Sequence, residues 1–361
     1  MKFTLVSLQF AAWTLAELVS KLRRTKMPDG NLVFDGIQPG RDHFPYHHFV
    51  NGNGQRSGKE CLDEWKGTVG ELAVLSVSVH PITMCLNATS IHSGFKQFLP
   101  VHMWKEANGK PDAQAIQAAT MDEIQLIAAG CQAAGITKIN WFCGSSIYED
   151  SLREFPGLPD DERKSRLDWE AGRIRQAVGI FKAHGIKKAR LEIHKGESAW
   201  EPYSAVELHK AVADDGFGYL YDHSHFIKQG MLNGDGVRFI NEEAPGSIDA
   251  EHLKGAKCQH GGVRSTHSPH HLDDPSGRRG DEYISLHWSD GDYRDVQVAL
   301  REGEFSFDEV ALEHEDGKML ALHLTSDKDE DNAAVVAGRH ARSNILFTSG
   351  ISHQEAMAKN N

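Results

Sequence analysis

The chain of 361 residues is 40% hydrophobic and 25% charged, the balance of an ordinary globular protein long enough to bury a large core. Its formal charge of −12 with histidine neutral opposes binding to an anionic polymer, and only the KLRR segment near Lys21 and the pair Arg278 and Arg279 run the other way, so no nucleic-acid partner is expected. Five cysteines, Cys61, Cys85, Cys131, Cys143 and Cys258, are odd in number and form no CxxC pair, which argues against a disulfide framework or zinc knuckle and for a reducing, cytoplasmic setting.

The first segment, MKFTLVSLQFAAWTLAEL, is apolar after one Lys but is broken at Thr14 and Glu17 and offers no small-x-small cleavage site, so a secretion leader is not expected. No stretch reaches the roughly 18 uninterrupted apolar residues of a membrane span. Eight short apolar runs read as strands in chain order: Phe3 to Leu8, Leu32 to Gln38, Ala73 to Val79, Lys138 to Cys143, Ala189 to His194, Gly218 to Asp222, Ile248 to His252 and Glu309 to Glu313. Helical periodicity falls between them over Thr14 to Lys26, Lys59 to Leu72, Pro111 to Ala134, Asp161 to His184, Ser204 to Ala213 and Tyr293 to Arg301. Eight strands alternating with helices predict a parallel sheet with crossover helices, as one barrel or as two ordinary domains.

Two junctions repeat one pattern, QAAGITKIN and KAHGIKKAR, in which Gly135 and Gly185 are placed to end a helix in the left-handed conformation before an Ile that packs the turn. The segment SLREFPGLPDDE between them, with Pro156 and Pro159, reads as a stiff loop. No Gly/Ser linker or charge block divides the chain, so residues 1–361 are expected to form one domain, with a long inserted loop at about 257–292 and a frayed tail at about 351–361.

Four runs in the second half each end in a metal-ligand residue type: Glu192, Asp222, His252 and Glu313. The first three are spaced 30 residues apart, about one strand-helix repeat, and the last gap of 61 holds the Gly-, Asp- and His-rich insertion. In a parallel barrel these strand ends converge on one mouth, where a carboxylate is costly to bury unless it is paired or bound to a cation. Three carboxylates and one imidazole suit Mn, Mg or Co, with Zn also compatible, more than a sulfur-rich structural zinc site. His194, two residues past Glu192, shares its strand face, and His225 follows Asp222, so both are candidates to contact substrate. His267, His270 and His271 read as a polar loop, and Arg278 is a candidate anion contact there. Phe142, Trp141 and Trp104 are candidates for an apolar wall, with core packing favoured for Trp141.

The motifs FDGIQPGRDHF, FLPVHMW, NWFCGSSIYEDSLREFPGLP, LEIHKGESA, YDHSHFIKQGM, EHLKGA, HLDDPSGRRGDEY with DGDY after it, and LEHEDG run in order from about Trp13 to Asp316. Together they resemble the strand-end motifs of the xylose-isomerase-like TIM-barrel family of sugar phosphate isomerases and epimerases. The resemblance implies a (β/α)8 TIM barrel, one divalent cation held at Glu192, Asp222, His252 and Glu313, substrate contact by His225, and Glu192 and Glu313 as the pair that removes and returns a proton beside a carbonyl through an enediolate. Glu197 matches a family glutamate near the mouth and is a further substrate-binding candidate. A small carbohydrate or cyclitol is then the expected partner, and a homo-oligomer stays open.

Four departures from the family pattern stand out: Gln38 where many relatives have Glu, His223 in place of Pro, Gly255 in place of Asp, and loss of an asparagine-histidine pair around Met84 and Cys85. They leave open a lyase or dehydratase of the same fold acting on a keto-inositol or 3-oxo-glycoside, and a catalytically weakened barrel serving as a partner subunit. The apurinic endonucleases that share the barrel are disfavoured by the acidic balance.

Overall fold

The computed structural model describes residues 2–10, 13–27, 29–151, 157–227, 233–253, 255–258, 281–284, 296, 298–299 and 307–313. Eight parallel strands form one sheet: β1 (Lys2–Val6), β2 (Gly36–Gln38), β3 (Val77–Ser78), β4 (Lys138–Trp141), β5 (Lys188–Glu192), β6 (Phe217–Asp222), β7 (Ile248–Leu253) and β8 (Glu309–Leu312). Their order is β2-β1-β8-β7-β6-β5-β4-β3, and among the described residues the backbones of the two ends pair as isolated parallel bridges, Gly36 to Ala73 and Gly40 to Ser78. The expected TIM barrel is therefore present, with its weakest seam between β2 and β3.

That seam is where the strand expectations overreach. Leu32 to Gln38 shortens to three residues and Ala73 to Val79 to two. A Cβ on Gly36 would lie 2.0 Å from the Ala73 carbonyl oxygen, so the chains approach too closely there for any side chain. Elsewhere the apolar runs form strands as read. Their outer faces pack on the helices, with Trp141 buried edge-on against Phe181 at 5.6 Å, as core packing predicts.

Local signals set the helix ends. In α1 (Leu15–Arg24), Thr14 and Glu17 close a reciprocal capping box, and Ser57 with Glu60 does the same for α3 (Gly58–Val69), ahead of the expected start. Asp112 caps α5 (Ala113–Ala134), so Pro111 lies outside it. After α5 and α6 (Asp160–Ala183), Gly135 and Gly185 adopt φ of 77° and 82°, and the amides of buried Ile136 and Ile186 bond back to Cys131 and Phe181. Short helices α2 (Tyr46–Asn51), α4 (His80–Thr83) and α8 (His223–Ile227) follow strands β2, β3 and β6, and α7 (Pro202–Val212) follows β5. These short helices were not anticipated, and neither was the longer α9 (Asn233–Glu243), whose NGDG start hides an apolar stripe of Val237 and Ile240. Among the described residues no helix is long and apolar enough to cross a membrane.

The insertion opens at Gly255, two residues before the expected boundary, as an antiparallel hairpin of Gly255–Cys258 with Asp281–Ile284. The rest of it, including Arg278 and the HSPHH histidines, most of the helix expected over Tyr293 to Arg301, and the tail at 351–361 lie outside the described residues.

Candidate metal centre

Register decides which side chains meet at the mouth. Tyr219 pairs with Ile248, and an unbroken ladder would then set Asp222 against Glu251. A register shift between Tyr219 and Leu220 instead sets Leu220 against Ala250 and Asp222 against His252, so carboxylate and imidazole share one face. On the next strand Glu192 pairs with Leu220, which turns it to the same interior.

The ligand atoms of Glu192, Asp222 and His252 all lie within 4.8 Å of one another, and all three residues are buried. His252 Nδ1 is 2.8 Å from Glu313 Oε2 and 3.7 Å from Glu192 Oε2, so Glu313 joins the cluster through His252. Burial opposes charge on His252, but the carboxylates of Glu313, Glu192 and Asp222 outweigh it and raise the imidazole pKa. Three carboxylates gathered in a closed site repel one another unless a positive charge sits among them. The donor set of hard oxygens and one imidazole nitrogen fits a divalent cation.

Each member is oriented by a neighbour. Asp222 Oδ1 accepts from the Ser224 amide at 2.9 Å and hydroxyl at 2.6 Å. Glu192 lies between two imidazoles, with His225 Nε2 at 3.0 Å from Oε1 and His80 Nε2 at 3.1 Å from Oε2. His225 Nε2 is also 3.2 Å from Asp222 Oδ2. His252 turns Nε2 to Gln38 Oε1 at 2.7 Å, which leaves Nδ1 facing the carboxylates.

Gln38 is itself held, donating to Ser76 Oγ at 3.1 Å and accepting from Ser78 Oγ at 2.6 Å. Ser76 donates to Glu309 Oε2 at 2.6 Å, and Asn140 donates to Ser76 at 3.0 Å. Fully buried Arg190 pairs with Glu309 at 3.0 Å and with both oxygens of Asp249 at 2.6 and 3.1 Å. A polar column thus fills the barrel beneath the mouth and runs up to His252.

The other expected site residues divide. His194 is half-buried, its ring 4.1 Å from that of His225 and 5.0 Å from that of Phe142, which in turn lies 4.6 Å from His80. These rings form one wall beside Glu192, and Phe142 is the aromatic that belongs to it. Trp104 instead donates to Glu106 at 2.6 Å near an exposed hairpin. Glu197 is buried and accepts from the amides of Cys143 and Gly144 at 2.6 and 2.7 Å, anchoring the loop after β4. Burial pushes its pKa up to about 8, against those two bonds and with a smaller push from the Glu192 charge.

The substituted positions also have defined places. His223 is buried with its Nδ1 at 3.4 Å from Glu251 Oε1, away from the ligand set. Cys85 is fully buried, its thiol pushed up to about 12 by burial. Strand β3 still brings an imidazole to the site, because His80 lies two residues past its end. Sequence reasoning missed this residue although SVSVH carries the same apolar-run-then-ligand signature as the four strand ends it did identify.

No protein-family model and no curated protein sequence matches the chain. Among solved structures it is similar to the IOLI protein with a bound zinc atom, at a TM-score of 0.60 and 14% identity over 96% of this chain and 98% of that one. It is also similar to the probable 3-DHS dehydratase AsbF of petrobactin synthesis from Bacillus anthracis, at 0.57 and 16% over 96% and 99%. D-psicose 3-epimerase in the presence of D-fructose matches at 0.55 and 13% over 96% and 100%. At these identities the likeness is one of fold, and the chain is a divergent protein with the xylose-isomerase-like TIM-barrel fold.

Proposed function

We propose that the protein is a divalent-metal-dependent isomerase or epimerase that moves a proton beside a carbonyl of a small carbohydrate or cyclitol. The observation that carries this reading is the convergence of Glu192, Asp222 and His252 within 4.8 Å, closed by Glu313 on His252. A cation held by these four residues supplies charge stabilisation to a substrate carbonyl and its neighbouring hydroxyl. Glu192 and Glu313, on different strands, are the acid-base pair, one removing the proton and the other returning it. His225 and His80, each about a hydrogen bond from Glu192, hold its carboxylate in one orientation and offer it protons. His194 with Phe142 forms the wall against which an apolar sugar face rests, and Glu197 positions the loop that carries Phe142. Arg278, which lies outside the described residues, is kept as a proposed anion contact on sequence grounds alone.

A dehydratase or lyase is the second reading, favoured by the likeness to a probable dehydratase: one glutamate removes the proton, the resulting enolate expels the β oxygen, and the other glutamate protonates it as it leaves. Metal content of the purified protein is the first test, beside Glu192→Gln and His252→Ala. Each variant is expected to hold about one equivalent of Mn, Co, Mg or Zn fewer than the wild type. Solvent-deuterium incorporation into a ketose or keto-cyclitol without loss of water then identifies the isomerase, and a product lighter by water identifies the lyase. No bound metal after incubation with Mn would overturn both.

A further inference from the structure

A second cluster lies outside the barrel mouth. Glu123, on α5, is buried, and its two carboxylate oxygens face two different imidazoles: Oε1 is 2.5 Å from His47 Nε2, and Oε2 is 2.7 Å from His102 Nε2. His47 belongs to α2, in the loop after β2. His102 belongs to the single turn Val101–Met103, in the loop after β3. Their ring centroids are 5.6 Å apart and nearly perpendicular, and the three ligand atoms lie within 4.8 Å of one another. Behind them Tyr46 donates its hydroxyl to Glu123 Oε1 at 2.6 Å, an outer partner of the kind that orients a ligating carboxylate.

We infer that His47, His102 and Glu123 form a second metal site, taking a zinc-class ion through two imidazole nitrogens and one carboxylate. Bond lengths of about 2.0 to 2.1 Å to zinc need the nitrogens and oxygens to part by less than about 1 Å from their present contacts. Both imidazoles have the freedom to do so, with side chains 36% and 56% exposed, while Glu123 stays fixed at 2%. The exposed side leaves room for water as the fourth ligand.

The position gives the ion a task. The site joins the loops that leave β2 and β3, the two strands whose backbones pair only as isolated bridges among the described residues, and roots both in α5. Arg41 already spans the same loops by donating to the Phe98 carbonyl at 2.5 Å. A metal clip there reinforces the weakest seam of the barrel, independently of the cation at the mouth.

The test is zinc content after equilibrium dialysis of the full-length protein, with Co2+ absorption as a probe of ligand nitrogen. His252→Ala, which removes the mouth site, is expected to retain about one equivalent of zinc and to gain thermal stability with it. Adding His47→Gln and His102→Gln to that variant should weaken zinc binding at least about tenfold and abolish the gain. If His252→Ala folds poorly, the same two glutamines in the otherwise wild-type chain should remove one equivalent and leave the other. Zinc binding unchanged by the glutamines in either background overturns the inference. A single equivalent lost with the glutamines but kept in His252→Ala would support it while sinking the mouth site.

Discussion

Gln38 and His252 meet across the barrel interior, from β2 to β7, with the amide oxygen 2.7 Å from the imidazole Nε2. Gln38 stands where relatives were expected to carry glutamate, yet as an amide it still accepts the imidazole proton and fixes the tautomer whose Nδ1 faces Glu192, Asp222 and Glu313. Because Ser76 spends its proton on Glu309, it can only accept from the Gln38 amide nitrogen, which turns the amide oxygen to Ser78 and His252.

Gln38→Leu is therefore expected to keep the fold and loosen the cation. Removing an outer partner of a ligating histidine weakens metal binding by about tenfold to a hundredfold in general. Competition against a chelator with a coloured metal complex measures it. Affinity unchanged within about twofold would show that Gln38 does not orient His252.

Glu197 predicts a pH dependence of stability. Its pKa rises from 4.5 to about 8 on folding, so the folded state holds a proton that the unfolded state releases. The contribution is full below about pH 4.5 and is lost as pH rises through about 8, with a slope of up to about 1.4 kcal/mol per pH unit. Denaturant unfolding at about pH 5.5 and about pH 7.5 should show wild type losing more stability over that interval than Glu197→Gln, which cannot titrate. Equal losses would place the proton elsewhere.

How far the site was legible follows from where each residue sits. Glu192, Asp222, His252 and Glu313 were readable because a parallel barrel turns strand ends into neighbours, and an apolar run ending in a ligand survives as a pattern in the chain. His80 carried the same pattern, directly after the run Ala73 to Val79, but stands apart from the spacing that groups the other four. The register shift beside Leu220, which brings His252 rather than Glu251 opposite Asp222, has no local signature in FGYLYD or IDAEHL. Arg190 looked like an ordinary charge in ARLEIH, because its partners Asp249 and Glu309 come from strands 59 and 119 residues away. His47, His102 and Glu123 share no spacing at all, being joined only by the packing of two loops on one helix.

Arg190 is expected to matter for stability more than its chemistry suggests. Its guanidinium sits fully buried between Glu309 and Asp249. Replacing it by Met leaves Glu309 without its counter-charge in the barrel core, a loss typically of about 3 to 5 kcal/mol. Arg190→Met with Glu309→Gln and Asp249→Asn should recover much of that loss, since the removed charges need no partner. Denaturant midpoints of the single and triple variants decide it, and a single variant as stable as wild type would show the column to be energetically idle.

Gly36 tests the seam itself. Its amide neighbour Ile37 donates to the Ala73 carbonyl at 2.9 Å, and the Ala73 amide donates to Asp35 at 3.1 Å, so the two chains are locked face to face at that point. A methyl group on residue 36 would lie 2.0 Å from the same carbonyl oxygen, a backbone atom that cannot swing aside. Gly36→Ala must therefore push β2 away from Ala73, opening the barrel where the backbones pair only as isolated bridges among the described residues, and overpacking of this kind costs about 1 to 3 kcal/mol or more. Gly179 is the control, because a Cβ there meets nothing within 4 Å on a long helix, and Gly179→Ala should be neutral or stabilising. Hydrogen exchange read segment by segment should show Gly36→Ala losing protection at the residues around Ile37 and Ala73 first. Since β2 also carries Gln38, the same variant should bind the mouth cation more weakly, linking the seam to the site by a route that Gly179→Ala does not touch.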